Sequence, residues 1–178
     1  MNRAVRTILV LGGARSGKSA HAQRLAEAAA EAAGGDLVFI ATAEAYDDEM
    51  RDRIARHRAD RDARWRTVEA PRDLAEAIRA EGGEGRTILV DCLTLWLSNL
   101  LLADADLDAA GEALAAAAEE ARARIVLVSN EVGFGIVPDN ALARRFRDAA
   151  GRLNQRMAAR CEAVDLVVAG IPLPVKPR

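Results

Sequence analysis

The sequence lacks long hydrophobic runs, and this absence limits where the chain can act. The most apolar stretch, residues 93–102, is too short to cross a bilayer and contains Thr94, Ser98 and Asn99. The first residues include two arginines but no apolar signal core followed by a cleavage site. We therefore expect a soluble, cytoplasmic protein without a membrane span.

The sequence also lacks blocks of one charge, closely spaced cysteines and many aromatic residues. The formal net charge is −2 with both signs interspersed, so we expect no nucleic-acid partner. Cys92 and Cys161 match no metal-binding spacing and are expected to be reduced thiols. Aromatic residues make up 3% of the chain, which says little about function. The length predicts one domain over residues 1–178.

Lysine is nearly missing as well, because the only lysines are Lys18 and Lys176. Lys18 lies in Gly12-Gly13-Ala14-Arg15-Ser16-Gly17-Lys18-Ser19, which matches the phosphate-binding pattern G-x-x-x-x-G-K-[ST]. An apolar run precedes this segment and an alanine-rich helical segment follows it, as such a loop requires. Lys18 would reach the β- and γ-phosphates of a nucleotide and the Ser19 hydroxyl would hold Mg²⁺. The alternative is a chance match in a glycine-rich loop.

Apolar runs of strand length alternate with helical patterns along the chain. Strands are predicted at 7–11, 37–41, 87–90, 125–129 and 164–169, with a short sixth strand around 65–69. Helices are predicted at 18–33, 47–59, 72–80, 92–102, 107–123 and 140–160. Continuous apolar strands are typical of parallel sheets buried on both faces. The pattern predicts an α/β P-loop NTPase fold, with helices on both faces of a mostly parallel sheet.

Local signals refine the helix boundaries. Gly34-Gly35 should end the first helix, and Asp139 or Asn140 should cap the last one. In that last helix, a spacing of three or four residues predicts one core-facing stripe. The stripe comprises Leu142, Phe146, Ala149, Leu153 and Met157.

Ligands of such folds bind beyond the carboxyl ends of the strands. Asp91 ends an apolar strand and is the expected Mg²⁺ partner, with a helix-capping role as the alternative. Thr42 follows the second strand. Glu131 follows another, where a base or water-orienting residue is as consistent with its position as a structural hydrogen bond.

The two histidines receive different interpretations. His57 lies among several arginines, so it is either the polar end of an apolar helical stripe or a nucleophile whose pKa the guanidinium groups lower. His21 follows Lys18 by one helical turn and is expected to be structural.

Nearly the whole chain resembles the bifunctional adenosylcobinamide kinase/adenosylcobinamide-phosphate guanylyltransferases of cobalamin biosynthesis. The segments that carry this resemblance are 11–19, 39–43, 47–61, 65–71, 90–99, 129–138, 145–155 and 169–173. The most specific are Asp-Asp-Glu-Met-x-x-Arg-Ile-x-x-His-Arg-x-x-Arg at 47–61 and Ser-Asn-Glu-Val-Gly-x-Gly-Ile-Val-Pro at 129–138.

The resemblance implies two reactions and their site residues. A nucleoside triphosphate, ATP or GTP, phosphorylates adenosylcobinamide. GTP then guanylylates a histidine, here His57, and the GMP passes to adenosylcobinamide phosphate. Lys18 and His57 would be catalytic, with Ser19 and Asp91 holding Mg²⁺ through the nucleotide. The implied nucleotide contacts are Leu11, Gly12, Gly13, Ala14, Arg15, Ser16, Gly17, Lys18, Ser19, Ala41, Thr42, Ala43, Arg58, Ala59, Asp60, Arg61, Glu69 and Asp91.

The family also forms ring-like trimers, which implies a homo-oligomer here. The residues alone leave two other functions to be weighed against this one. A monofunctional P-loop kinase would not need His57 as a nucleophile. A nucleotide-dependent switch protein would need an Asn-Lys-x-Asp motif to read guanine, and residues Asn130-Glu131-Val132-Gly133 are not one.

Overall fold

The computed structural model describes residues 5–44 and 61–177. Within these ranges the chain forms a sheet of seven strands and five helices. The strands are β1 (Thr7–Gly12), β2 (Asp36–Ala41), β3 (Trp65–Glu69), β4 (Arg86–Asp91), β5 (Arg124–Asn130), β6 (Ala163–Val168) and β7 (Ile171–Lys176). The helices are α1 (Lys18–Ala33), α2 (Leu74–Glu81), α3 (Leu93–Leu102), α4 (Leu107–Glu120) and α5 (Ala141–Arg160).

The strands lie in the order β3-β2-β4-β5-β1-β6-β7. The first six pair in parallel, and β7 alone runs antiparallel, against β6. The carboxyl ends of the parallel strands therefore meet at one edge of the sheet, which we call the carboxyl edge. The loop after β1 lies at this edge, between the segments that follow β5 and β6.

Strands β1, β2, β4, β5 and β6 are largely buried on both faces, which explains their uninterrupted apolar sequences. Alternate residues point to opposite faces, so Leu9 belongs to one core cluster and Val10 to the other. Helix α1 covers the Val10 face with its alanines. Helices α2 to α5 pack against the Leu9 face. The predicted α/β fold with helices on both faces is confirmed for the described part of the chain.

Three helix termini show why the elements stop where they do. Gly34 has a φ of 64° and its N–H donates to Ala30 O and Glu31 O, so it closes α1 as predicted. The Asn140 side chain accepts from Ala143 N and caps α5. Lys176 Nζ donates to the backbone oxygens of Ala158, Ala159 and Cys161 at the carboxyl end of α5. The second lysine of the chain is thus a helix cap.

The structure corrects several details of the predicted elements. Leu142, in the first turn of α5, is 54% exposed and does not belong to the core stripe. Ala149, Leu153 and Met157 are buried, and the partly buried Phe146 packs against the core. The short strand predicted at 65–69 is real and pairs with β2. The predicted helix at 47–59 lies outside the described residues.

Strand β7 was missed because its sequence, Ile-Pro-Leu-Pro-Val-Lys, contains two prolines. Proline cannot donate to a ladder, so it normally marks a segment as something other than a strand. Among the described strands, β7 lies at the edge of the sheet and pairs on one side only, with β6. No helix within the described ranges is long and apolar enough to cross a membrane.

Candidate active site

The segment between β1 and α1 has the backbone of a phosphate-binding loop. Gly17 adopts a φ of 91°, a conformation that side-chain-bearing residues rarely take, and it directly precedes α1. A Cβ on Gly12 would lie 2.4 Å from Ser16 Oγ and 2.8 Å from Val167 O, so only glycine fits there. The loop therefore turns tightly and leads into the amino end of α1, where backbone N–H groups favour an anion.

Two side chains of this loop are placed for phosphate oxygens. Lys18 is 8% exposed, and its Nζ donates to Gly13 O over 3.0 Å, which keeps the ammonium inside the loop. Ser16 Oγ is buried and has no hydrogen-bond partner within the described residues. A buried hydroxyl without a partner costs free energy unless a ligand satisfies it. The loop therefore has the arrangement of a binding site for a ligand that would pair with the Ser16 hydroxyl.

Both neighbouring strands fix the loop from the sides. Glu131 N, after β5, donates to Gly12 O over 3.1 Å, and Gly170 N, after β6, donates to Ser16 O over 2.8 Å. His21 Nε2 of α1 lies 2.9 Å from Asp165 Oδ2 of β6, and both side chains are buried. The structural role predicted for His21 is confirmed, since it ties the first turns of α1 to the sheet.

The register places other predicted residues along the same edge. Ala41, at the end of β2, pairs with Glu69 of β3 on one side and Asp91 of β4 on the other. Gly12 pairs with Asn130 of β5. The half-buried Asp91 lies at the end of β4. Strand β5 alone separates it from β1, the strand that leads into the phosphate loop.

The donor set fits a magnesium ion held partly by a nucleotide. Ser19 and Asp91, both half-buried, offer a hydroxyl and a carboxylate oxygen, and Mg²⁺ prefers oxygen ligands with several positions left for phosphate and water. The described residues contain no group of three or more His, Cys, Asp or Glu side chains that would hold a metal without such help.

A buried polar network fixes the end of β5. Thr94 Oγ1 of α3 accepts from Asn130 N at 2.7 Å and from Asn130 Nδ2 at 3.1 Å. Asn154 of α5 accepts from Ser129 Oγ at 2.7 Å and donates to Asn130 O at 3.2 Å. Two helices thereby hold Asn130, and with it the start of the following loop. Sequence reasoning missed Thr94 and Asn154, whose only signal is a polar residue at a buried helix position.

A second network joins β2, β3 and β4 at the same edge. The Thr42 hydroxyl donates to Cys92 O at 2.7 Å and accepts from Cys92 N at 2.8 Å. Asn99 Nδ2 donates to Thr42 O at 2.8 Å and to Pro71 O at 2.9 Å. Thr42 is fully buried, so its hydroxyl serves the protein interior, and its predicted nucleotide contact stays a prediction.

Asn99→Ala is expected to lower the free energy of unfolding by about 2–4 kcal/mol, because the buried oxygen of Thr42 and the partly buried oxygen of Pro71 both lose this donor. Denaturant titration followed by circular dichroism measures the loss. Ser98→Ala, one residue earlier on α3, is the control, since it removes no hydrogen bond seen among the described residues. A loss below about 0.5 kcal/mol for Asn99→Ala would show that this amide carries little of the edge's stability.

The remaining predicted residues fall into two groups. His57, Arg58, Ala59 and Asp60 lie outside the described residues, so their predicted roles stay predictions. Arg61 is described, and its guanidinium lies 3.5 Å from the centre of the Phe39 ring of β2, a favourable cation–π arrangement. Glu131 Oε1 accepts from Gly133 N at 2.6 Å, so this carboxylate is oriented by its own loop.

Cys92 is next to Asp91 but is a poor nucleophile. Burial, followed by the neighbouring Asp91 charge, raises the pKa of the Cys92 thiol to about 11. Burial also raises the pKa of Cys161 to about 12. Both cysteines are free, and both stay neutral near pH 7. Any covalent intermediate at this edge therefore needs another nucleophile.

Comparisons with known proteins agree with this geometry. Residues 8–175 match the family described as cobinamide kinase / cobinamide phosphate guanyltransferase. The chain is 55% identical to the bifunctional adenosylcobalamin biosynthesis protein CobP of Pseudomonas aeruginosa over 170 residues, covering 94% of this chain and 96% of that protein. It is 44% identical to the bifunctional adenosylcobalamin biosynthesis protein CobU of Salmonella typhimurium, covering 95% and 99%.

Among solved structures, an ATPase domain matches with a TM-score of 0.51 at 12% identity. The match covers 90% of this chain and 68% of that one. At this identity the likeness concerns the fold alone, and it agrees with a P-loop NTPase arrangement of the sheet and its loop.

Proposed function

Since the chain belongs to the family of cobinamide kinases / cobinamide phosphate guanyltransferases, we propose that it performs both reactions at one site, the second through a GMP–histidine intermediate on His57. The observation that carries this proposal is the phosphate loop of Gly12–Ser19 at the same sheet edge as Asp91. One triphosphate cradle at that edge serves both reactions.

In the first reaction, the hydroxyl oxygen of cobinamide attacks the γ-phosphorus of ATP or GTP. The bond between the γ-phosphorus and the β,γ-bridging oxygen breaks, and the nucleoside diphosphate leaves. Lys18 stabilises the charge on the transferred phosphoryl group. Ser19 and Asp91 would hold Mg²⁺, which would supply positive charge to the phosphates. Glu131 is the candidate acceptor for the hydroxyl proton.

In the second reaction, a neutral imidazole nitrogen of His57 attacks the α-phosphorus of GTP. A nitrogen–phosphorus bond forms, the bond to the α,β-bridging oxygen breaks, and pyrophosphate leaves. A phosphate oxygen of cobinamide phosphate then attacks the same phosphorus. The nitrogen–phosphorus bond breaks, which restores His57 and yields the GDP derivative of cobinamide.

Two structural facts support His57 as the nucleophile. The chain leaves the sheet after β2 at the carboxyl edge and returns at Arg61, beside Phe39 of β2. The segment that bears His57 is therefore attached to a strand of the site. The neutral cysteines leave imidazole as the most reactive nitrogen or sulfur nucleophile in the chain near neutral pH.

Further nucleotide contacts are proposed outside the phosphate loop. Ala41, Ala43, Glu69 and Asp91 end or follow β2, β3 and β4, and Arg58–Arg61 would supply positive charge to the phosphates. We also propose that one domain over residues 1–178 carries both activities. A trimeric ring is the assembly implied by the resemblance. The outer edge of β7, which pairs with no other described strand, offers backbone groups for a contact between subunits.

Incubation with α-³²P-labelled GTP tests the intermediate. We expect protein-bound label that is stable in base and lost in acid, as a phosphoramidate is, and that passes to cobinamide phosphate when this acceptor is added. GTP labelled in the γ position is the control and should leave no such label. A protein that completes guanylyl transfer without becoming labelled would refute the covalent step.

The labelling rate should depend on pH through the protonation of the attacking imidazole. The ordinary histidine pKa is about 6.5, close to the middle of the pH range that the measurement covers. We expect the rate to be constant above that pKa and to fall about tenfold for each pH unit below it. Single-turnover labelling between pH 5 and 8 provides the measurement. A flat profile over this range would exclude imidazole as the attacking group.

A further inference from the structure

The loop after β5 carries apolar side chains that the protein leaves in solvent. We call residues 131–138 the acceptor loop. Within it, Phe134 is 85% exposed, Ile136 is 97% exposed and Val137 is 63% exposed. The chain has only three phenylalanines, and one of them is almost completely exposed at the carboxyl edge. Such an exposed apolar cluster indicates a binding surface.

The sheet order places this loop where phosphoryl acceptors must lie. Strand β5 runs between β1 and β4. Asn130 pairs with Gly12, and Val128 pairs with Asp91. The acceptor loop therefore leaves the sheet between the phosphate loop and the proposed magnesium carboxylate. A molecule that receives a phosphoryl group from a nucleotide in this cradle can therefore contact this loop.

Both ends of the loop are anchored. At its start, Glu131 N donates to Gly12 O, and the partly buried Val132 packs against the core. At its end, Arg144 Nη1 donates to Pro138 O at 2.9 Å and to Asp139 O at 2.8 Å. The two ends of the acceptor loop are thus held by the rest of the protein, while the side chains in its middle are exposed.

We propose that Phe134, Ile136 and Val137 form the docking surface for the corrin macrocycle of the acceptor. This inference rests on the proposed function for the nucleotide site. A corrin ring is large and bears methyl groups around its rim, so it needs apolar contact area that no phosphate or metal contact supplies. Glu131, at the start of the same loop, then lies beside the hydroxyl that the macrocycle carries on its side chain.

The position of this surface next to the phosphate loop favours the macrocycle, rather than a second copy of the chain, as the molecule that binds it. It continues directly from the phosphate loop through the bond from Glu131 N to Gly12 O. Strand β7, with the side chains of Ile171, Leu173 and Val175 exposed, provides a separate apolar surface for a contact between copies.

Equilibrium dialysis of the intact protein with adenosylcobinamide tests the proposal. Phe134→Ser and Ile136→Ser should each weaken binding by about fivefold to tenfold, as expected for losing one large apolar contact. Their self-labelling with α-³²P-GTP should be unchanged. Leu102→Ser is the matched control, because Leu102 is 63% exposed at the far end of α3, about 15 Å along the helix from the edge. It should bind adenosylcobinamide as the wild type does.

Light scattering measures the molecular mass of the same variants. It thereby distinguishes a surface that binds the macrocycle from one that binds a second copy of the chain. Weaker adenosylcobinamide binding at unchanged molecular mass supports the docking surface. Unchanged binding, or a loss of binding that accompanies a change in mass, would overturn it. The proposed function has a different signature of failure: a wild type that GTP does not label would refute the GMP–histidine step, yet the dialysis would still report on the loop.

Discussion

Lys18→Ala should lose both activities, each by about a hundredfold to a thousandfold in kcat/KM, the cost of removing one preorganised charge from a transition state. The reason is that the same ammonium faces a different group in each reaction. It stabilises a migrating γ-phosphoryl in the kinase step and a departing pyrophosphate in the guanylyl step. Separate assays of cobinamide phosphorylation and of GTP-dependent labelling measure the two losses.

The only other lysine supplies the control for this substitution. Lys176→Ala removes a cap at the carboxyl end of α5, so it should lower stability while both activities survive at a temperature where the protein is folded. Lys18→Arg should restore little, because a planar guanidinium does not fit a cradle closed around Gly13 O. If Lys18→Ala lost only one activity, the two reactions would not share the cradle.

The fold was largely predictable because its signals are local and repeated. Each predicted strand corresponds to an observed one, because most of them are continuous apolar runs of the kind that a sheet covered by helices buries. The prediction failed where packing overrides the local signal. Strand β7 contains prolines that only an edge position tolerates. Leu142 has the helical spacing of the core stripe but is exposed in the first turn of α5.

The phosphate loop was predictable for a different reason: its chemistry dictates residue types at fixed spacing. Glycine is needed at 12 and 17 for backbone reasons that the structure confirms. The asparagines whose hydrogen bonds hold the segments at the carboxyl edge were not predictable from the sequence. Asn99 and Asn154 look like ordinary polar helix positions in the sequence, and their role follows only when the sheet brings Thr42, Pro71 and Asn130 beside them.

The histidines separate the two reactions from each other. His57→Ala should abolish labelling by α-³²P-GTP and GMP transfer to cobinamide phosphate, with a loss of at least about a thousandfold, because no other side chain replaces the nucleophile. Phosphorylation of cobinamide should remain within about threefold of the wild type, since that step transfers the γ-phosphoryl group directly and needs no covalent intermediate.

The chain contains only one other histidine, His21, so a substitution there is the control for His57→Ala. His21→Gln keeps a donor for Asp165 and should retain the label, even if the protein unfolds at a lower temperature. Labelled His57→Ala protein would assign the intermediate to another residue, and peptide mapping would identify it. Loss of both activities in His57→Ala, with the protein still folded, would instead mean that this segment positions the nucleotide rather than receiving GMP.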